Sequence, residues 1–174
     1  GLPPAAWSGV EGAVADRRGR RKRKLRVSLT DRCNLRCPYC MPDQPQWLPK
    51  AQILRREELL RLIGLFVERL GIRELRLTGG EPLLRKDVDV IVGECGSLRS
   101  RGLERISLTS NGILLASRAA ALVSAGLDDV NVSLDALDEA AFARMSGGHG
   151  SAAAVTAGIL AARIGARDEG ARQG

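Results

Sequence analysis

Cys33, Cys37 and Cys40 stand within eight residues, in the run Cys33-Asn-Leu-Arg-Cys37-Pro-Tyr-Cys40. Thiolates are the usual ligands of iron–sulfur clusters. Three this close can hold one metal centre, but a closed tetrahedral site needs a fourth donor, and none lies nearby in the chain. A four-iron cubane held by three thiolates keeps one iron open, and an open iron is a place for chemistry. Structural zinc is the competing reading. Cys95 or His149 would have to complete that site, and neither belongs to a paired C-x-x-C or H-x-x-x-H pattern. A third reading is no metal at all. Cys95 taken alone reads as a small hydrophobe buried in its helix.

The cysteines need elements to hold them, and the chain alternates strand and helix patterns. Leu25–Thr30 reads as a strand, and residues 31–54 as a loop carrying the cysteines. A helix follows with Leu59, Leu62, Ile63, Phe66 and Leu70 on one face, ending at Gly71. Glu74–Thr78, Arg105–Thr109 and Asp129–Asp135 are the further strands. Helices are expected over 87–100, 115–125, 138–145 and 152–164, with Gly126 stopping the second of these. Asn111-Gly112 signals a turn, and residues 165–174 have no usable pattern. Strands alternating with helices imply an α/β fold with parallel pairing through right-handed crossovers.

Buried parallel strands usually read as continuous apolar runs. These four alternate. Val27 and Leu29 oppose Arg26, Ser28 and Thr30; Leu75 and Leu77 oppose Arg76 and Thr78; Ile106 and Leu108 oppose Ser107 and Thr109; Val130, Val132 and Leu134 oppose Asn131, Ser133 and Asp135. Each strand therefore has one polar face. Helices should cover the apolar face, while the polar one lines a wet, anion-friendly pocket where the sheet curls into a barrel wall. The alternative is a sheet with one solvent-facing side.

Composition bounds the rest. The chain has 174 residues, 44% hydrophobic and 27% charged, which suits one domain with a core, and at 3% aromatic that core must be aliphatic. No apolar run approaches the roughly 18 residues of a membrane span, and no signal-peptide core opens the chain. Four cysteines so distributed are no disulfide framework, so a reducing cytoplasm is expected. Net charge is +7, with Arg17, Arg18, Arg20, Arg21, Lys22, Arg23 and Lys24 in one block. Such a block contacts an anionic ligand or nucleic acid, or is a solvated lead-in; with no interleaved aromatics, the lead-in is preferred and no nucleic-acid partner is expected. Residues 1–24 are read as an irregular basic arm, and 25–174 as the core domain.

Cys33-x-x-x-Cys37-x-x-Cys40, with Tyr39 before the last cysteine, resembles the signature of the radical S-adenosylmethionine (SAM) enzymes. Leu25–Asn34, Cys40-Met41-Pro42, Leu77-Thr78-Gly79-Gly80-Glu81-Pro82-Leu83, Leu108-Thr109-Ser110-Asn111-Gly112 and Asn131-Val132-Ser133-Leu134-Asp135 together resemble the MoaA family, the GTP 3′,8-cyclases of molybdenum cofactor biosynthesis. The likeness runs from about Asp16 to Gly148. It implies a partial TIM-like (βα) barrel of the radical SAM type, with four βα units read of an expected six. The family's second cluster, its later GTP-contacting Lys, its SAM-contacting Met and its C-terminal Gly-Gly pair have no counterpart in this sequence. The chain is accordingly expected to be truncated at its C-terminus.

The resemblance also implies roles. Cys33, Cys37 and Cys40 would hold a [4Fe–4S] cluster. Tyr39, Gly80 and Ser133 match SAM-contacting positions, and Arg26, Arg76 and Thr109 match GTP-contacting ones. The implied reaction cleaves SAM to a 5′-deoxyadenosyl radical that takes the 3′ hydrogen of GTP, after which C3′ attacks C8. GTP, an electron donor, and a complementing C-terminal half or a homodimer are the implied partners; none is a membrane. The residues agree with these roles. Gly79 and Gly80 end a strand and let a cofactor approach the backbone. Guanidinium forks suit phosphate oxygens. The alternative for Arg76 is an ion pair with Glu81, and for Ser133 a local backbone cap. The other readings of function are a radical SAM enzyme of different substrate, or a non-catalytic metal- or nucleic-acid-binding protein.

Overall fold

A computed structural model describes residues 14–42 and 44–172. The first thirteen residues of the basic arm lie outside the described residues. Strands β1 (Lys24–Ser28), β2 (Glu74–Thr78), β3 (Arg105–Ser110) and β4 (Asp129–Val132) pair in sequence order, all in parallel. Helices α1 (Arg56–Leu70), α2 (Val88–Gly96) and α3 (Leu115–Ser124) make the crossovers, and α4 (Glu139–Met145) and α5 (Ala152–Arg172) follow β4. This is the expected α/β fold, a partial barrel whose sheet is not closed.

The alternation in the strands explains the packing. Leu75, Leu77, Ile106 and Leu108 are fully buried under Leu59, Ile63 and Val67 of α1, Ile91 and Val92 of α2, and Leu122 of α3. Each such side chain contributes roughly 1.5–3 kcal/mol of burial. A smaller cluster of Phe142, Ala152 and Val155 packs on Val132 and Leu134. Helix α1 starts where the Glu58 carboxylate accepts the Arg55 N–H at 2.9 Å and stops at Gly71, whose φ of 68° is left-handed.

The N-terminal ends of the strands carry ion pairs: Lys24–Glu74, Arg23–Glu104, Arg105–Asp129 and Arg99–Asp128. The described part of the basic arm is solvent-exposed and turns back on itself and onto the end of α1. Ala15 bridges Arg21, Asp16 pairs with Arg20 and Lys22, and the Val14 N–H donates to Leu70 O at 3.4 Å. Hydrogen bonds from the Arg20 backbone and side chain hold the Asp16 pKa down at about 2.

Several boundaries differ from the sequence expectation. Strand β1 begins at Lys24 and ends at Ser28, and β4 ends at Val132 rather than Asp135. Beyond those points the backbone leaves the ladder to build the site loops. Helix α2 gives way to a 3-10 turn over Ser97–Arg101. Helix α5 continues to Arg172, through the residues where a fifth strand would be sought, because its Ala, Arg and Glu residues favour helix. No fifth strand occurs among the described residues. Four strands are too few to close a barrel. The polar face is therefore open, not an enclosed pocket: Arg26, Ser28, Asn131 and Ser133 are all exposed.

Candidate active site

The loop after β1 carries the cysteines across the C-terminal end of the sheet. Cys37 is buried, Cys33 half-buried and Cys40 exposed. Partial desolvation of Cys40 by its surroundings, with the neighbouring Cys37 and Cys33 thiols, pushes its pKa up, so the three share one neighbourhood. The loop is braced from several sides. Cys40 N–H and Met41 N–H donate to Cys37 O at 3.0 and 2.9 Å. Arg36 Nη1 donates to the carbonyls of Cys33 and Leu35, both at 2.8 Å, and its guanidinium lies 5.5 Å from the centroid of Trp47. Arg36 N–H donates to Ser146 O beyond α4 at 3.0 Å.

The turn out of β2 sits directly against this loop. Gly80 N–H donates to Thr30 O and Glu81 N–H to Arg32 O, both at 2.7 Å. A Cβ on Gly79 would strike Thr30 O, and one on Gly80 would strike the carbonyls of Asp31 and Arg32. The glycines are thus required by close approach of the chain's own backbone. Glu81 points the other way, into the protein, and is fully buried. Its carboxylate accepts from Leu83 N–H at 3.0 Å, Ser110 Oγ at 2.9 Å and Asn111 N–H at 2.7 Å. Desolvation raises its pKa, and these three donors act against that rise. The suggested Arg76–Glu81 ion pair does not form. Arg76 Nε instead lies 3.4 Å from Ser107 Oγ, on the opposite face of the strand from the core.

Strand register places the remaining candidates. Arg26 is level with Arg76, and Arg76 with Ser107, forming one polar row. Thr109 is level with Asn131, two residues further along. Among the described residues, Thr109 Oγ1 is buried with no hydrogen-bond partner, as is Asp31 Oδ1. Ser133 lies just past β4, its N–H donating to Ser110 O at 2.9 Å, with its side chain exposed. Tyr39 is 60% exposed and donates its hydroxyl to Asp135 Oδ2 at 2.5 Å, tying the cysteine loop to the segment after β4. That bond holds the phenolic proton firmly and raises its pKa.

A family model described as the Radical SAM superfamily matches residues 27–167. The chain belongs to the radical SAM superfamily. It is 53% identical over 153 residues to "GTP 3′,8-cyclase 2" of Mycobacterium tuberculosis, covering 87% of this chain and 42% of that protein. It is 55% identical over 137 residues to a GTP 3′,8-cyclase of Mycobacterium marinum, covering 78% and 38%. With a GTP 3′,8-cyclase of Corynebacterium glutamicum it shares 49% identity over 175 residues, covering 95% and 46%. The chain therefore spans less than half the length of these curated relatives.

Radical SAM proteins work with a [4Fe–4S] cluster and SAM. The residues of this radical SAM chain fit both. Among the described residues, no three His, Cys, Asp or Glu side chains converge closely enough for a single metal ion. Cys95 is fully buried in the core, its thiol pushed up to about 12 by burial, and His149 is exposed, so neither completes a zinc site. A four-iron cubane is larger than one ion and spans more widely spaced thiolates. Three thiols on one braced loop, beside a glycine turn and an unpartnered Thr109 hydroxyl, suit a cluster with ligands next to it.

Glu81 and Asn111 are the site residues that sequence reasoning passed over. Asn111 was legible as a turn former and Glu81 as a possible partner of Arg76; both lie in motifs of the resemblance, which gave neither a role. Nothing in the run Gly79-Gly80-Glu81-Pro82 distinguishes a buried carboxylate from a solvated one; the burial of Glu81 comes from the fold.

Proposed function

We propose that this chain is the cluster- and SAM-binding part of a GTP 3′,8-cyclase, which makes (8S)-3′,8-cyclo-7,8-dihydroguanosine 5′-triphosphate in the first step of molybdenum cofactor biosynthesis. The observation that carries this reading is that the cysteine loop meets the Gly79–Gly80 turn at the C-terminal ends of β1 and β2, next to a mid-strand polar row containing Arg26 and Arg76. Parallel α/β folds place their ligands at that end. Relatives named GTP 3′,8-cyclase, about half identical over this segment, support the substrate.

Cys33, Cys37 and Cys40 hold the cluster. When bound, the cluster supplies the electron that cleaves SAM. Tyr39, Gly80 and Ser133 line the SAM position, and the Tyr39–Asp135 bond fixes the loop that covers it. Arg26 and Arg76 bind phosphate oxygens of GTP, and Thr109 gives its free hydroxyl to the nucleotide. An external reductant delivers the electron. The open edge of β4 takes a further strand, from the same polypeptide or from a complementing one, and this shields the radical step from water.

Arg76→Ala tests the substrate assignment. Nucleotide binding should weaken at least about tenfold, the loss of a charged hydrogen bond, while SAM binding is unchanged. Loss of SAM binding with nucleotide affinity retained would contradict it.

A further inference from the structure

The turn after β3 presents an amide whose orientation is fixed from both sides. Asn111 Oδ1 accepts the Ile113 N–H at 3.1 Å. Nδ2, a donor with two protons, then faces the cysteine loop. It donates to Asn34 Oδ1 at 2.8 Å and lies 3.8 Å from Cys33 Sγ. Flipping the amide would set donor against donor at Ile113 and acceptor against acceptor at Asn34, so the network admits one orientation. The backbone beneath it is anchored as well. Asn111 N–H donates to Glu81 Oε2 at 2.7 Å, and Ser110 Oγ to Glu81 Oε1 at 2.9 Å, inside the core. A second donor reaches the same sulfur, the Leu35 backbone N–H at 3.4 Å, and no side-chain substitution removes that one.

Resting on the reading of Cys33 as a cluster ligand, we propose that Asn111 is a positioning residue that sets the cluster's reduction potential through its N–H on the Cys33 sulfur. Hydrogen bonds to ligating sulfurs are among the determinants of iron–sulfur potentials, and groups behind the ligands commonly tune a metal centre. Reduction adds negative charge that spreads onto the sulfurs. A donor aimed at one of them favours the reduced state over the oxidised and raises the potential. The buried Glu81 anchor makes the donor a built feature of the fold.

The test uses the full chain, reconstituted anaerobically with iron and sulfide, as wild type, Asn111→Ser and Asn111→Asp. The potential is read by redox titration monitored by electron paramagnetic resonance. Serine keeps a short oxygen for the Ile113 N–H but does not reach Cys33. Aspartate keeps the shape and turns the donor into an anion. The expected order of potentials is wild type highest, Asn111→Ser lower and Asn111→Asp lowest. At the wild-type midpoint the reduced-to-oxidised ratio of Asn111→Asp should fall roughly tenfold, about 59 mV for one electron. Equal potentials in all three would overturn the inference and leave the cluster reading standing. A wild type that takes up no iron would sink both. If the wild type loads and neither variant does, Asn111 builds the loop instead of tuning the cluster, and the proposal fails.

Discussion

Thr109 carries a buried hydroxyl without a hydrogen-bond partner among the described residues. An unpaired buried hydroxyl costs about 1–3 kcal/mol, which a fold tolerates where a ligand is to use the group. Thr109→Val should therefore leave stability unchanged or raise it by about 1 kcal/mol in urea melts, while GTP binding weakens. Destabilisation with unchanged GTP binding would remove Thr109 from the substrate site. At this scale the cysteine run was legible because its spacing alone marks a candidate metal-binding loop, and the fold keeps the three residues on one loop. Asn111 was not, because its partners Asn34 and Cys33 lie 77 and 78 residues away and only the fold brings them together.

The turn between β2 and the 3-10 segment Pro82–Leu84 joins three elements through one side chain. Glu81→Ala would strand the Leu83 and Asn111 N–H groups and the Ser110 hydroxyl in the interior. The expected cost is roughly 2–4 kcal/mol, measured by urea unfolding, accompanied by loss of cluster uptake. The pH dependence follows from the raised pKa. Below the unfolded-state value, near the ordinary 4.5, Glu81 is protonated in both states; as pH rises through the folded-state value its ionisation costs the native protein stability. The margin of wild type over Glu81→Ala should accordingly narrow as pH rises through that window, and a widening margin would contradict the assignment. The elements themselves were largely readable. Strand β2 and the helix stops at Gly71 and Gly126 fall where alternation and glycine place them, with φ values of 68° and 88° at the two glycines. The end of β4 was not readable, since the alternation runs on to Asp135 while the strand stops at Val132 and its last bond to β3 is made by the Ser133 N–H. Nor was the length of α5, whose tail shows helix propensity without an apolar stripe.

At the scale of the molecule, the sheet divides the protein by function. One face is an aliphatic core under three helices. The N-terminal strand ends are laced with exposed ion pairs, each worth at most about 1 kcal/mol. The C-terminal ends carry the cysteine loop. Parallel α/β organisation was visible in the alternation of patterns, and one polar sheet face was visible in the period-two strands. The openness of that face was not, because it depends on how many strands surround it. No described helix is long and apolar enough to cross a membrane. If this loop holds a cubane with one iron free for SAM, anaerobic reconstitution of the purified chain should yield about four irons and four sulfides per chain and a spectrum that changes when SAM is added, and Cys37→Ala should lose both. Stable zinc without iron uptake, or a SAM-responsive cluster that survives Cys37→Ala, would contradict it.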